Sequence, residues 1–157
     1  MEERYKKVSE SRTEQVYIVR ARYLNAAGRL FGGSLMAWID ETGAITARRH
    51  CNAAVTTAAV DHLHFVKPVL PNQNVVLVGK VTYVGNTSME VQVDTFVESL
   101  DGSRDMVNRA FLVYVAIQGG KPAKVPKLIL ETEEEKNAWA TGEKRAQLRR
   151  QRRREGF

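Results

Sequence analysis

A chain of 157 residues, 43% hydrophobic and 27% charged, has the length and composition of one ordinary globular domain with its own core. No apolar run approaches the ~18 residues of a membrane-spanning helix, and the charged start Met1-Glu2-Glu3-Arg4 is unlike a secretory signal. The net charge of +6 says little about the fold, because seven cations and two anions from Glu143 onward carry +5 and leave residues 1–142 at +1. Cys51 is the single cysteine, which excludes an internal disulfide and fits a reducing, cytoplasmic setting.

Residues 1–13 are polar and are expected to be a flexible N-terminus. Glu14 to Arg20 alternates Val16 and Ile18 against Tyr17 and Val19, the period of a strand. A loop runs through Asn25 and Arg29 to Phe31, and a helix is expected from about Gly33 to His50. Met36, Ile39, Gly43 and Ala47 recur at helical spacing on one face of it. Asp40 falls inside that stripe, whereas Glu41 is rotated about 100° away. A carboxylate where a helix packs is costly unless it is hydrogen-bonded or used. This one follows a glycine-rich helix start, whose bare amides can hold an anion.

Four β-rich runs follow, Ala53–Val66, Val75–Val84, Thr87–Ser99 and Asp105–Ile117, separated by turn residues. Their order predicts an antiparallel meander after the long helix, an α+β fold. One helix cannot cover both faces of such a sheet or close its edges, so dimerisation that extends the sheet is expected. Glu131 to Arg154 is rich in Glu, Lys, Arg, Gln and Ala and reads as a solvated, charged helix. The resulting division is 1–13, a domain at 14–126, and a C-terminal helical tail at 127–157.

Asn25-Ala26-Ala27-Gly28-Arg29-Leu30-Phe31-Gly32-Gly33 followed by Trp38-Ile39-Asp40-Glu41-Thr42-Gly43 resembles the active-site segment of hotdog-fold acyl-CoA thioesterases, in the bacterial branch similar to brain cytosolic acyl-CoA hydrolase. Val60-Asp61-His62-Leu63-His64-Phe65, Asn86-Thr87-Ser88-Met89-Glu90-Val91 and Gly120-Lys121-Pro122 match in the same order, over roughly Val16 to Glu135. The resemblance implies a long central helix wrapped by a curved antiparallel sheet, homodimers assembling as a trimer of dimers, and a site at the dimer interface. It implies hydrolysis of acyl-CoA to CoA and a carboxylic acid in fatty acid metabolism, with Asp40 as general base or nucleophile. Backbone N–H groups at Gly32 and Gly33 then polarise the carbonyl. Asn25 either positions water and carbonyl or simply caps its loop, and Phe31, Thr87 and Ser88 are candidate substrate contacts.

No cofactor is implied, since CoA arrives as part of the substrate. His62 and His64 lie two apart with no Cys or carboxylate at ligand spacing, so no metal is expected. The arginine-rich tail lacks interleaved aromatics, which argues against nucleic acid as a partner. The alternative to an enzyme is a hotdog protein that binds acyl-CoA or a nucleotide as a regulator, without turnover.

Overall fold

The computed structural model describes residues 2–157. Its longest core element is helix α1 (Gly32–Cys51), which starts after Phe31 without a side-chain cap and ends at Asn52 in the left-handed conformation. Leu35, Trp38, Ile39, Thr42, Gly43, Thr46, Ala47, His50 and Cys51 form its buried face. Met36, expected in that face, is 44% exposed. Asp40 is half-buried at the margin of the stripe and Glu41 is exposed.

The sheet under α1 contains β2 (Thr13–Ile18), β3 (Ala54–Asp61), β4 (Asn74–Val84), β5 (Ser88–Glu98), β6 (Arg104–Gln118) and the two-residue β7 (Lys121–Pro122). The order across it is β2-β4-β5-β6-β3, all antiparallel, with β7 appended to β6. This is the expected hotdog architecture, a long helix laid on an antiparallel sheet, with one correction to the connectivity. Only β4, β5 and β6 form a meander; β3 does not pair with β4 but crosses to the far edge beside β6. The Ala53–Val66 run is also shorter than its composition suggests. It leaves the ladder after Asp61, where His62 turns into a left-handed conformation at φ 57°.

The inward side chains Met89, Val91, Val93, Leu112, Tyr114 and Ala116 join α1 in the core. On β2 Tyr17 points inward, as does Val19 just past its end, while Val16 and Ile18 remain exposed. The Tyr17 ring stacks on Trp38, 4.4 Å between centroids and nearly coplanar. Fully burying an apolar side chain such as Ile39 contributes about 1.5–3 kcal/mol. Helix and sheet are pressed together where glycine removes side-chain bulk. A Cβ at Gly79 would fall on the Thr46 hydroxyl, and one at Gly43 on the Tyr114 hydroxyl.

Both chain ends are more ordered than their composition indicates. Residues 2–13 hold β1 (Tyr5–Lys7) and a 3-10 turn at Val8–Glu10, and β1 runs parallel to β8 (Lys127–Ile129). Helix α2 (Glu133–Glu155) begins with a capping box between Thr132 and Glu135. It is not merely a solvated tail: Trp139 lies against Tyr83, with ring centroids 4.5 Å apart, and Arg145 and Arg149 reach the outer face of the sheet. The polar residues Glu90, Gln92 and Asp94 are buried on that face. No helix among the described residues is long and apolar enough to cross a membrane.

Candidate active site

Asp40 is the meeting point of three elements. Thr57, on β3, donates its hydroxyl to Asp40 Oδ1 at 2.9 Å. Tyr114, on β6, donates to the same oxygen at 2.9 Å and lies 3.0 Å from the Asp40 carbonyl. Thr57 and Tyr114 are directly opposite one another in the β3–β6 register, so both hydroxyls project inward from one rung of the sheet. Burial, followed by the hydrogen bond to Asp40, raises the Tyr114 phenol above its ordinary value and keeps it a donor. Among the described residues, Asp40 Oδ2 has no hydrogen-bond partner.

The helix start meets the description of an anion-receptive terminus. Ser34 and Leu35 donate to the Phe31 carbonyl, and the amides of Gly32 and Gly33 precede the first intrahelical bonds. The Phe65 ring lies over Gly32 and the Phe31 ring over Gly33, so a Cβ at Gly33 would strike the latter. A groove of about 400 Å³ opens there, lined by Asn25, Arg29, Gly32, Phe65 and Lys67 among others.

Asn25 Oδ1 accepts from the backbone amides of Ala27 at 2.9 Å and Arg29 at 3.2 Å. Its carbonyl oxygen is therefore committed to shaping the loop, while its Nδ2 donates to none of the described residues. Thr87 and Ser88 lie at the β4–β5 turn. Ser88 pairs with Val115, on the sheet face opposite α1, so one chain does not bring it to Asp40. The rings of His62 and His64 stand edge to face at 4.7 Å, beyond the end of β3. Among the described residues, no group of three His, Cys, Asp or Glu side chains could hold a metal ion.

Two partners of Asp40 escaped the sequence. Tyr114 sits in an apolar strand where its inward parity makes it look like core, and Thr57 sits in a Thr-Thr pair on an edge strand. The available signal was Gly43. A glycine three residues after a carboxylate, inside a buried stripe, marks the place where another chain segment approaches the helix closely.

A family model for the thioesterase superfamily matches residues 27–101. The uncharacterized acyl-CoA thioester hydrolase YkhA of Bacillus subtilis is 42% identical over 132 residues, which are 83% of this chain and 77% of that protein. The chain belongs to the thioesterase superfamily, among the acyl-CoA hydrolases.

Within this family, the rat cytosolic acyl coenzyme A thioester hydrolase is 34% identical over 88% of the chain, which spans only 37% of that longer protein. The Staphylococcus aureus acyl-CoA hydrolase, solved with butyryl coenzyme A and coenzyme A, superposes with a TM-score of 0.91 at 36% identity, covering 97% of this chain and 94% of that one. Alanine variants of the same enzyme at an Asp, an Asn and a Thr have also been solved. An apo-hexameric acyl-CoA thioesterase superposes with a TM-score of 0.90 at 38% identity, over 95% of this chain and 97% of that one.

Proposed function

We propose that this chain hydrolyses the thioester bond of acyl-CoA, releasing CoA and a carboxylic acid, with Asp40 as the reacting carboxylate. The observation that carries the assignment is the one-sided hydrogen bonding of Asp40. Tyr114 and Thr57 hold Oδ1 and leave Oδ2 to face a water or the thioester carbonyl. In the first case Oδ2 takes a proton from the attacking water, the C–S bond breaks and the CoA sulfur leaves with that proton. In the second Oδ2 attacks the carbonyl carbon, the CoA thiolate leaves to give a mixed anhydride, and water then cleaves the anhydride to the free acid and the Asp40 carboxylate. The Asp, Asn and Thr replaced in the Staphylococcus aureus enzyme stand in the order and at the spacing of Asn25, Asp40 and Thr57, which supports giving all three a part in the site.

Gly33 and Asp40 are seven residues apart on one helix, about 10 Å at 1.5 Å per residue. A single carbonyl cannot touch both. We therefore assign the oxyanion-binding amides of Gly32 and Gly33, the Asn25 amide, and the Phe31 contact to one protomer, and the reacting Asp40 to its partner. Thr87 and Ser88 join this scheme as contacts for the remainder of the substrate. The unit is a homodimer, assembled as a trimer of dimers in keeping with the hexameric relative. We take 14–126 as the hotdog domain that carries this site, and place the enzyme in the cytoplasm.

The test is free-thiol release from short-, medium- and long-chain acyl-CoAs by wild type and Asp40→Asn. Turnover by wild type and a loss of about 10²-fold or more in the variant are expected. Wild-type binding of acyl-CoA without turnover would replace the enzyme with a non-catalytic regulator.

A further inference from the structure

The bond from Thr57 to Asp40 depends on where β3 lies, and within one chain β3 is the last strand of its sheet, paired among the described residues with β6 alone. Its pairing with β6 is also interrupted. Thr57 stands opposite Tyr114 and Ala59 opposite Val113, so Ala58 is an extra residue in the ladder. A bulge of this kind bends a strand and re-aims the side chains beside it. The strand segment that follows the bulge, ending at Asp61, is tied down from the outer face of the sheet.

That tie is built on Glu90 of β5, whose side chain is fully buried. Glu90 accepts from the Thr82 hydroxyl at 2.7 Å and from Arg145 at 2.7 and 3.0 Å, and Arg145 itself covers the Phe111 ring. Arg149 Nη1 donates to Glu90 Oε2 at 3.0 Å and also to Asp61 Oδ2 at 3.2 Å. Glu90 pairs with Val113 on β6, and Val113 pairs with Ala59 on β3. One guanidinium therefore passes over β6 and joins β5 to the edge strand. Arg152 adds longer bonds to Asp61, at 3.3 and 3.4 Å.

We propose that Arg149, acting through Asp61, is a positioning residue for the reaction: it fixes the segment of β3 just beyond the bulge so that the Thr57 hydroxyl meets Asp40. The proposal rests on Asp40 being the reacting carboxylate. Arg149 touches neither substrate nor reacting atoms in this scheme. Its contribution passes through the strand, and helix α2 acts as a strap across the back of the sheet.

A double-mutant cycle on kcat and KM for acyl-CoA hydrolysis tests it, using Asp61→Asn, Thr57→Val and the two combined. Asp61→Asn keeps Arg149 and Arg145 on Glu90 and weakens only the tie to the strand, leaving a neutral amide oxygen as the acceptor for Arg149 and Arg152. It is expected to lower kcat by about 3–10-fold with KM within about twofold, while the double variant is no slower than Thr57→Val alone, as for residues in one network. Arg149→Lys, which shortens the reach to Asp61, serves as a second variant with the same expected outcome. Wild-type kcat in folded Asp61→Asn and Arg149→Lys, or losses that simply multiply in the double variant, would overturn the proposal. Asp40→Asn is assayed alongside. If it retains turnover, the assignment of the reacting carboxylate fails; if it is inactive while the strap variants match wild type, the strap alone fails.

Discussion

Thr57 and Tyr114 face each other across the β3–β6 ladder, and both hydroxyls donate to one oxygen of Asp40 at 2.9 Å. Two donors on one oxygen fix the plane of the carboxylate and leave its other oxygen without a partner among the described residues. The cost of placing an acid at a packed helix margin is thus met by hydrogen bonds from the sheet.

Tyr114→Phe keeps the ring and deletes the hydroxyl. Losing a hydrogen bond to a charged group should destabilise the protein by about 1–3 kcal/mol. With Asp40 as the proposed reacting carboxylate, loosening it should lower turnover by about tenfold or more, since small misplacements at such a group are costly. Urea unfolding and thiol release on the same preparation measure both effects, and turnover equal to wild type would remove Tyr114 from the site.

Gly43→Ala puts a methyl group where the Tyr114 hydroxyl lies. Neither partner can move aside easily, because one is on a helix and the other in the middle of a strand. Overpacking of this kind should cost about 1–3 kcal/mol, seen as a lower unfolding midpoint. The companion Gly43→Ala/Tyr114→Phe variant should recover part of that stability, because the colliding oxygen is gone.

Glu90 is enclosed by Arg145, Arg149 and Thr82. Glu90→Ala strands two largely buried guanidinium groups and should cost about 3–5 kcal/mol, the range for breaking a buried pair by removing one partner. Denaturant unfolding measures it. A change below the range seen for surface substitutions would show that α2 is only loosely seated.

His50 is buried, its Nε2 lies 2.8 Å from the Pro126 carbonyl, and its Nδ1 has no partner among the described residues. Burial, the largest influence, lowers its pKa below the ordinary 6.5, and the cations Lys6 and Arg4 add to this while the Pro126 bond and Glu10 oppose it. The unfolded chain therefore binds the proton more readily. Its contribution to stability is full above pH 6.5 and is lost as pH falls from there through the lower folded value. Unfolding midpoints between pH 8 and pH 5 should fall in wild type and fall less in His50→Gln.

Asp40, the long helix and the main strand runs could be read along the chain because helical and strand periods are local properties. The order of the strands could not. The Ala53–Val66 run looks like the first member of a meander, and only its pairing with β6, about 55 residues on, places it at the edge. The alternation of Glu90, Gln92 and Asp94 with apolar residues was also ambiguous, because it describes a solvated face and a face covered by arginines equally well. Arg145 and Arg149, 55 and 59 residues later, decide between them. The sequence supports two roles for Asn25, and its two side-chain polar atoms differ accordingly: Oδ1 shapes the loop, while Nδ2 donates to none of the described residues.

Gly43 and Gly79 bring α1 down onto two strands at once. At those two points the helix lies directly on its own sheet and leaves no room for a fatty tail. What stays open to such a tail is the margin of the helix, where Met36, Val60 and Phe65 are exposed at 44%, 48% and 53%. The breadth of acyl chains this protein accepts would then be set by how a second subunit roofs that margin, and substitutions there should alter chain-length preference while leaving the Asp40 geometry intact.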